Sequence, residues 1–370
     1  MVQIMRNRLA NSKYTSTTQL TRRSICIAGL GLLTAGLSLN VRHIVGASSY
    51  TVTPDAHMLL MRQNNYTSSI AWSHDGSRIA SGGIAAPVEV WNAATGKTQA
   101  SLLAKDGVLL DWSLDGQHIV TAGGFEGIDQ SNAASGVPQA VSEVVLWDAV
   151  TGKRLTTYNG MSYVSALAWS PDGTRIALAG SDAVGATVHV CDTHTGNLLL
   201  AYRGHVASRL AWSPDSQWIA SSIDSIIGGV FERTLRIWNS TTGQDRLVWS
   251  GTANSLSWSP DGALIACGDE EVVQLCDTGT GALTSSYKAN SGAPILGVAW
   301  SPNGRFIATV GGSPQFPDPK GFVQVRELAS GHTTAYHGHT LTVAALSWSP
   351  ASDRLVTSSY DGTIRVWEIA

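Results

Sequence analysis

From Ser69 to Ser359 the chain repeats one short pattern of apolar and polar positions seven times. Each copy has an alternating apolar run ending in Trp-Ser, a polar turn, and a second alternating run, as in "ALAWSPDGTRIALAG" (166–180). Alternation with period two predicts strands, and Asp-Gly between two such runs is a hairpin signal. The other copies begin at Ser69, Leu109, Arg209, Ser255, Gly297 and Ala345. Their tryptophans, Trp72, Trp112, Trp169, Trp212, Trp258, Trp300 and Trp348, lie 40 to 57 residues apart, close to the interval of a four-stranded repeat.

The third copy shows the rest of the unit. After the hairpin, "TVHVCD" predicts a third strand, and "THTG" turns the chain into a fourth, "NLLLAYR". A meander of such short strands is apolar on both faces and cannot stand alone. Several of them around an axis cover one another. The expectation is therefore an all-β fold, a seven-bladed β-propeller of four-stranded antiparallel blades. Turns of the Thr-Gly type recur six times, at Gly96, Gly152, Gly196, Gly243, Gly281 and Gly331, yet the chain stops after a third strand, "TIRVWEIA". The last blade is thus one strand short. "DAHMLLMRQ" (55–63) has the length and alternation to complete it, which would remove an exposed edge and join the two ends of the ring. This divides the chain into an N-terminal segment 1–47, a linker 48–54 and a propeller 55–370.

Charge separates the first segment from the rest. The net charge is −3, but residues 1–47 carry six Lys/Arg and no acid, leaving 18 basic against 27 acidic residues beyond. So acidic a body is a poor nucleic-acid binder, and no nucleic-acid partner is expected. "TRRSICIAGLGLLTAGLSLNVRHIVGA" (21–47) joins basic residues to an apolar run and then to Val45-Gly46-Ala47, the layout of a signal peptide. Arg22 and Arg23 after Thr21 resemble the twin-arginine export signal, although Ile25 and Cys26 stand where that signal usually carries Phe and Leu. An uncleaved anchor over Ser24–Val41 is the competing reading. Either way the segment would contact membrane or export machinery, and the repeats would lie outside the cytoplasmic membrane of a bacterial cell.

Four cysteines make no disulfide framework: Cys26 lies in the apolar run, and Cys191 and Cys276 hold the same place in different repeats. Cys267 and Cys276 flank one hairpin without falling opposite each other. All three repeat cysteines read as small buried side chains.

The third strands end "VEVWN", "VVLWD", "LRIWN" and "IRVWE", at Trp91, Trp147, Trp238 and Trp367. These repeats resemble the WD-repeat family over about residues 55–370. Cys191, Cys276 and Arg326 occupy the Trp position in three blades and depart from the pattern. The resemblance implies a hydrogen-bonded set of His, Ser/Thr, Asp and Trp within a blade. His339, Thr357, Asp361 and Trp367 match it fully. His205, Ser221 and Trp238 match it in part, with Glu232 where Asp is expected. Such mutually satisfied polar groups are a structural device rather than a catalytic one.

Reactive constellations are missing from the remainder. The other histidines do not cluster at metal-ligand spacing, and Gly29-x-Gly31 lies in the export signal without a β-α unit around it. No catalytic, cofactor-binding or metal-binding residue is expected, and no cofactor. The reading is a non-enzymatic platform for protein partners of unidentified kind, presented outside the cytoplasmic membrane. Two alternatives remain: an exported propeller with a ligand-binding or enzymatic axial site, and a six-bladed propeller similar to the translocation protein TolB. The first-to-second and third-to-fourth turns are short and uniform. Second-to-third connections lengthen in alternate blades, at 123–142, 223–232 and 311–320. Three loops on one rim make that rim the candidate partner surface, with Phe125, Glu126, Asp129, Ile226, Ile227, Val230, Phe231 and Phe316 as its residues.

Overall fold

The computed structural model describes residues 58–369, apart from 64–66, 84–85, 105–106, 124–141, 205–206, 228–229, 252, 290–291 and 314–319. Among the described residues there are seven four-stranded antiparallel sheets, six of them simple meanders in chain order. The seventh is built from both ends. Strands β26 (Val343–Trp348), β27 (Arg354–Ser359) and β28 (Thr363–Glu368) take as their outer member β1 (Met58–Gln63), which pairs antiparallel with β28 from Met58↔Trp367 to Gln63↔Thr363. The expected closure is what the chain does.

Packing follows the ring. Seven apolar clusters form among the described residues, and each spans one boundary between adjacent blades rather than one sheet. The closing boundary is typical: Val356, Ile364 and Val366 of the last blade meet Ile70, Trp72, Ile79 and Trp91 of the first, with Leu60 of β1 packed against them. A blade buries its faces only by having neighbours, so each blade depends on the two beside it.

The repeated phrase has a local cause. In "WSHDG" the Ser73 hydroxyl donates to Asp75 and accepts the backbone N–H of Arg78, while Asp75 takes the N–H of Ser77. The turn then needs a positive φ, which Gly76 supplies at 72°. Ser216 and Ser352 hold the same conformation at 59° and 63° without glycine. Their hydroxyls accept the backbone N–H groups of Asp172 and Asn303 in the preceding blades, which offsets the strain.

The innermost strands are stitched in two ways, set by the residue just before each first-strand tryptophan. Where it is Ala, the next blade's indole donates to its carbonyl: Trp112 to Ala71, Trp212 to Ala168, Trp258 to Ala211 and Trp348 to Ala299, at 3.0–3.1 Å. Where it is Ser or Asp, the side chain accepts the next tryptophan's backbone N–H instead: Ser257 from Trp300, Ser347 from Trp72 and Asp111 from Trp169. In that second mode the indoles of Trp72 and Trp300 have no hydrogen-bond partner.

One expectation is corrected. The connection 223–232 is not a loop, because β15 (Trp218–Ile227) and β16 (Val230–Asn239) are ten-residue strands that stay paired to Ile227↔Val230. The β-branched and aromatic residues on either side of Gly228-Gly229 extend the strands, leaving 228–229 between them. Likewise β23 (Phe306–Ser313) and β24 (Lys320–Glu327) extend into 311–320, leaving 314–319 between them. The first connection ends at β8 (Glu143–Asp148), and 124–141 lies outside the described residues.

Candidate functional site

In the last blade the polar set assembles as expected. Trp367 donates its indole N–H to Thr357 Oγ1 at 2.8 Å, Thr357 lies 2.8 Å from His339 Nε2, and His339 Nδ1 lies 3.0 Å from Asp361 Oδ2. One orientation satisfies every atom: Thr357 donates to Nε2, and Nδ1–H donates to the carboxylate. Burial pushes the His339 imidazole below its ordinary pKa, helped by the Arg365 charge against the pull of Asp361. Burial raises Asp361, but the His339 hydrogen bond and charge, Thr363 and the Thr340 N–H outweigh it and bring the carboxyl down to about 2. A neutral imidazole locked between a hydroxyl and a carboxylate faces no open cleft. It holds the blade.

Trp238 donates to Ser221 at 3.1 Å, while His205 lies outside the described residues. Glu232 stands within β16, its backbone opposite Ser225, rather than in a turn as Asp361 does. The same indole-to-hydroxyl bond recurs at Trp91–Ser81, 3.1 Å, and Trp147–Thr121, 2.9 Å.

On the candidate rim, Phe125, Glu126, Asp129 and Phe316 lie outside the described residues. The backbones of Ile226, Ile227, Val230 and Phe231 form the far end of the β15–β16 hairpin. Another second-to-third connection holds a group that sequence reading missed. Asp182 accepts from both terminal nitrogens of Arg203 at 3.2 and 2.9 Å, takes two backbone N–H groups, and lies 3.0 Å from His189 Nε2. Arg203 first, and then these N–H groups and His189, hold its carboxyl far below the usual range. Nothing in the spacing of Asp182, His189 and Arg203 marks the group in the sequence.

The three repeat cysteines are buried and free. Cys267 is opposite Gln274 and Cys276 opposite Ile265, so they are diagonal neighbours on one face. Among the described residues, no group of three or more His, Cys, Asp or Glu could hold a metal ion.

Position by position, the departures from Trp are compensated across blade boundaries. The fourth-strand residue paired three places before the Trp position faces the next blade's occupant of that position. Tyr202 stacks on Trp238 at 4.3 Å and Tyr336 meets Trp367 edge-on at 5.7 Å. Opposite the small Cys276 the chain brings Trp249, and opposite Cys191 it brings Tyr158. At the closing boundary the Arg62 guanidinium lies 5.5 Å from the Trp91 ring and pairs with Glu89. At the boundary between the fifth and sixth blades Tyr287 faces Arg326, and the space is incompletely filled.

The family model "WD domain, G-beta repeat" matches residues 152–184, 196–239, 244–277, 281–313 and 330–368. The chain is 30% identical over 151 residues to the small ribosomal subunit protein RACK1y of Oryza sativa subsp. japonica, covering 40% of this chain and 44% of that protein. It is 26% identical over 245 residues to cell division cycle 20.1, cofactor of APC complex, of Arabidopsis thaliana, covering 62% and 50%. A third relative, WD repeat-containing protein WDS homolog of Arabidopsis thaliana, is 28% identical over 232 residues, covering 60% and 42%. The chain spans about half the length of the curated relatives it matches. Five repeat matches, these relatives and the seven four-stranded blades together support a WD-repeat β-propeller family for this chain.

Proposed function

We propose that the protein is a non-enzymatic interaction platform, exported by its N-terminal segment and presenting the propeller outside the cytoplasmic membrane. The observation that carries the reading is where the polar residues are used. Among the described residues, the recurring His, Asp, Ser and Thr side chains of the repeats are bonded within turns, tetrad and stitches, where they hold the blades together. The second-to-third connections, by contrast, are where the repeats diverge in length. Relatives whose printed names place them in assemblies, a ribosomal subunit protein and a cofactor of the APC complex, support binding to protein partners.

Charging the β15–β16 hairpin, with Ile227→Lys and Phe231→Glu, tests the surface. Partner capture by the exported protein should be lost while the stability changes by less than about 1 kcal/mol, as for a surface substitution. Retained capture refutes the surface, and a lost fold shows the hairpin end to be core. Export is tested separately by replacing Arg22 and Arg23 with Lys, which should leave the protein inside the cell. Undiminished export refutes the twin-arginine route.

A further inference from the structure

The replacement of Trp by Arg326 leaves a cavity of about 230 Å³, lined by Tyr287 and Lys288 of the fifth blade and Thr309, Gln324, Arg326, Thr333 and Ala335 of the sixth. Thr309 stands where Thr357 and Ser221 receive an indole N–H in other blades, but here no indole arrives. The Tyr287 hydroxyl is buried with no hydrogen-bond partner. Arg326 lies over the Tyr287 ring, 4.5 Å from its centre, and donates one bond to Thr333 at 3.3 Å. Among the described residues no carboxylate pairs with it. A buried hydroxyl and a guanidinium without a counter-charge are each costly to leave so.

The propeller itself shows what such a pair takes. Two blades earlier, Tyr202 donates its hydroxyl to Asp245 Oδ1 at 2.6 Å, and Arg236 donates to Asp245 Oδ2 at 3.2 Å. Tyr287 holds the place of Tyr202, as the pairings Tyr202↔Val188 and Tyr287↔Val273 show. Thr333, opposite Arg326, holds the place of Asp245, opposite Trp238. The carboxylate has gone, the tyrosine hydroxyl remains, and an arginine has moved in beside it. At the mouth Lys288 is paired with Glu271 at 2.9 Å, so those charges cancel and Arg326 leaves the cavity net positive.

We propose that this cavity binds a small carboxylate anion, its two oxygens held by Arg326 and the Tyr287 hydroxyl. The site is smaller than the roughly 300–1,000 Å³ of drug-sized pockets, which suits an anion of a few heavy atoms. It stands apart from the rim surface, and neither reading depends on the other.

Binding of isotope-labelled acetate to the full chain is measured by NMR, with acetamide, which has the same shape and no charge, as control. Acetate should saturate at millimolar concentration and acetamide should not. Arg326→Trp restores the family residue, fills the cavity and offers Thr309 an indole, and it should weaken acetate binding at least tenfold. Tyr287→Phe, which keeps the ring, should weaken it several-fold and serves should Arg326→Trp not fold. If acetate does not saturate, if acetamide binds equally, or if both variants bind as the wild type does, the cavity holds water only and the proposal is overturned.

Discussion

Thr357 is the joint of the last blade, and its hydroxyl is the group whose removal has the most calculable cost. Thr357→Val keeps the shape of the side chain and deletes one oxygen. That oxygen accepts the Trp367 N–H and donates to His339 Nε2, so the variant orphans two polar atoms inside a site where Trp367 and Thr357 are 0% exposed. An unsatisfied buried polar group costs about 1–3 kcal/mol, so the pair costs roughly 2–6 kcal/mol. A propeller of this length shifts its melting temperature by about 2 °C per kcal/mol, the low end of the usual range, which predicts a fall on the order of 4–12 °C. Thr121 provides the internal comparison, since its described bond is to Trp147 alone. Thr121→Val should cost about half as much, and Thr357→Ser, which restores the hydroxyl that Ser81 and Ser221 supply elsewhere, should recover most of the loss. Thermal unfolding followed by calorimetry reads all three. Equal costs at 357 and 121, or no rescue by serine, would refute the idea that the tetrad is a chain of coupled bonds.

The same blade should be acid-labile. The folded-state pKa of His339 lies below its unfolded value of 6.5, so that contribution is complete above 6.5 and is lost as pH falls through the lowered value. Asp361 contributes fully above 3.8 and loses its contribution as pH falls through about 2. Asp361→Asn should lower stability at neutral pH and flatten its fall below pH 4, and an unchanged acid limb counts against the assignment. Ser347→Ala should convert the stitch at the ring closure to the alanine mode: the Trp72 indole gains the carbonyl of residue 347, seen as slowed exchange of its N–H. Stability should change by less than about 1 kcal/mol, and a loss beyond 2 kcal/mol would refute the interchange. A chain shortened to begin at Ser68 loses β1 and its Arg62–Glu89 pair, and should melt well below the full chain. Equal melting would mean that β1 does not close the ring.

Much of this was legible in the sequence because a propeller repeats its local physics. The Ser-Pro-Asp-Gly turn, the Trp of each third strand and the shortfall of one strand at the C-terminus each report a single blade. Counting them yields the ring and its closure. The hairpin 223–232 was misread for a reason of the same kind: its length marks it as exceptional among the connections, while Gly228-Gly229 between β-branched runs marks it as two extended strands. The latter signal is local and prevails. What repeat counting cannot reach is any property shared by two blades. Cys276 and Arg326 look equally deviant in a list of third strands, yet one is matched by Trp249 and the other is not matched in volume by Tyr287.

Compensation across blade boundaries also decides where a degenerate repeat can acquire a role. At most boundaries a loss is made good in kind: an aromatic ring opposite a thiol, an arginine paired with Glu89 and laid over Trp91, a serine hydroxyl where an indole bond is forgone. These exchanges keep the boundaries filled and still stitched, although the serine mode leaves the Trp72 and Trp300 indoles unbonded. The Tyr287–Arg326 boundary loses both volume and bonding: it replaces an indole with a charge, omits the carboxylate that Asp245 provides elsewhere, and leaves a hydroxyl unbonded beside a cavity. Stability gives no reason to keep that combination, since restoring Trp would satisfy Thr309 and fill the space. A residue set that costs stability and is held in place by an otherwise regular scaffold is where function is to be sought.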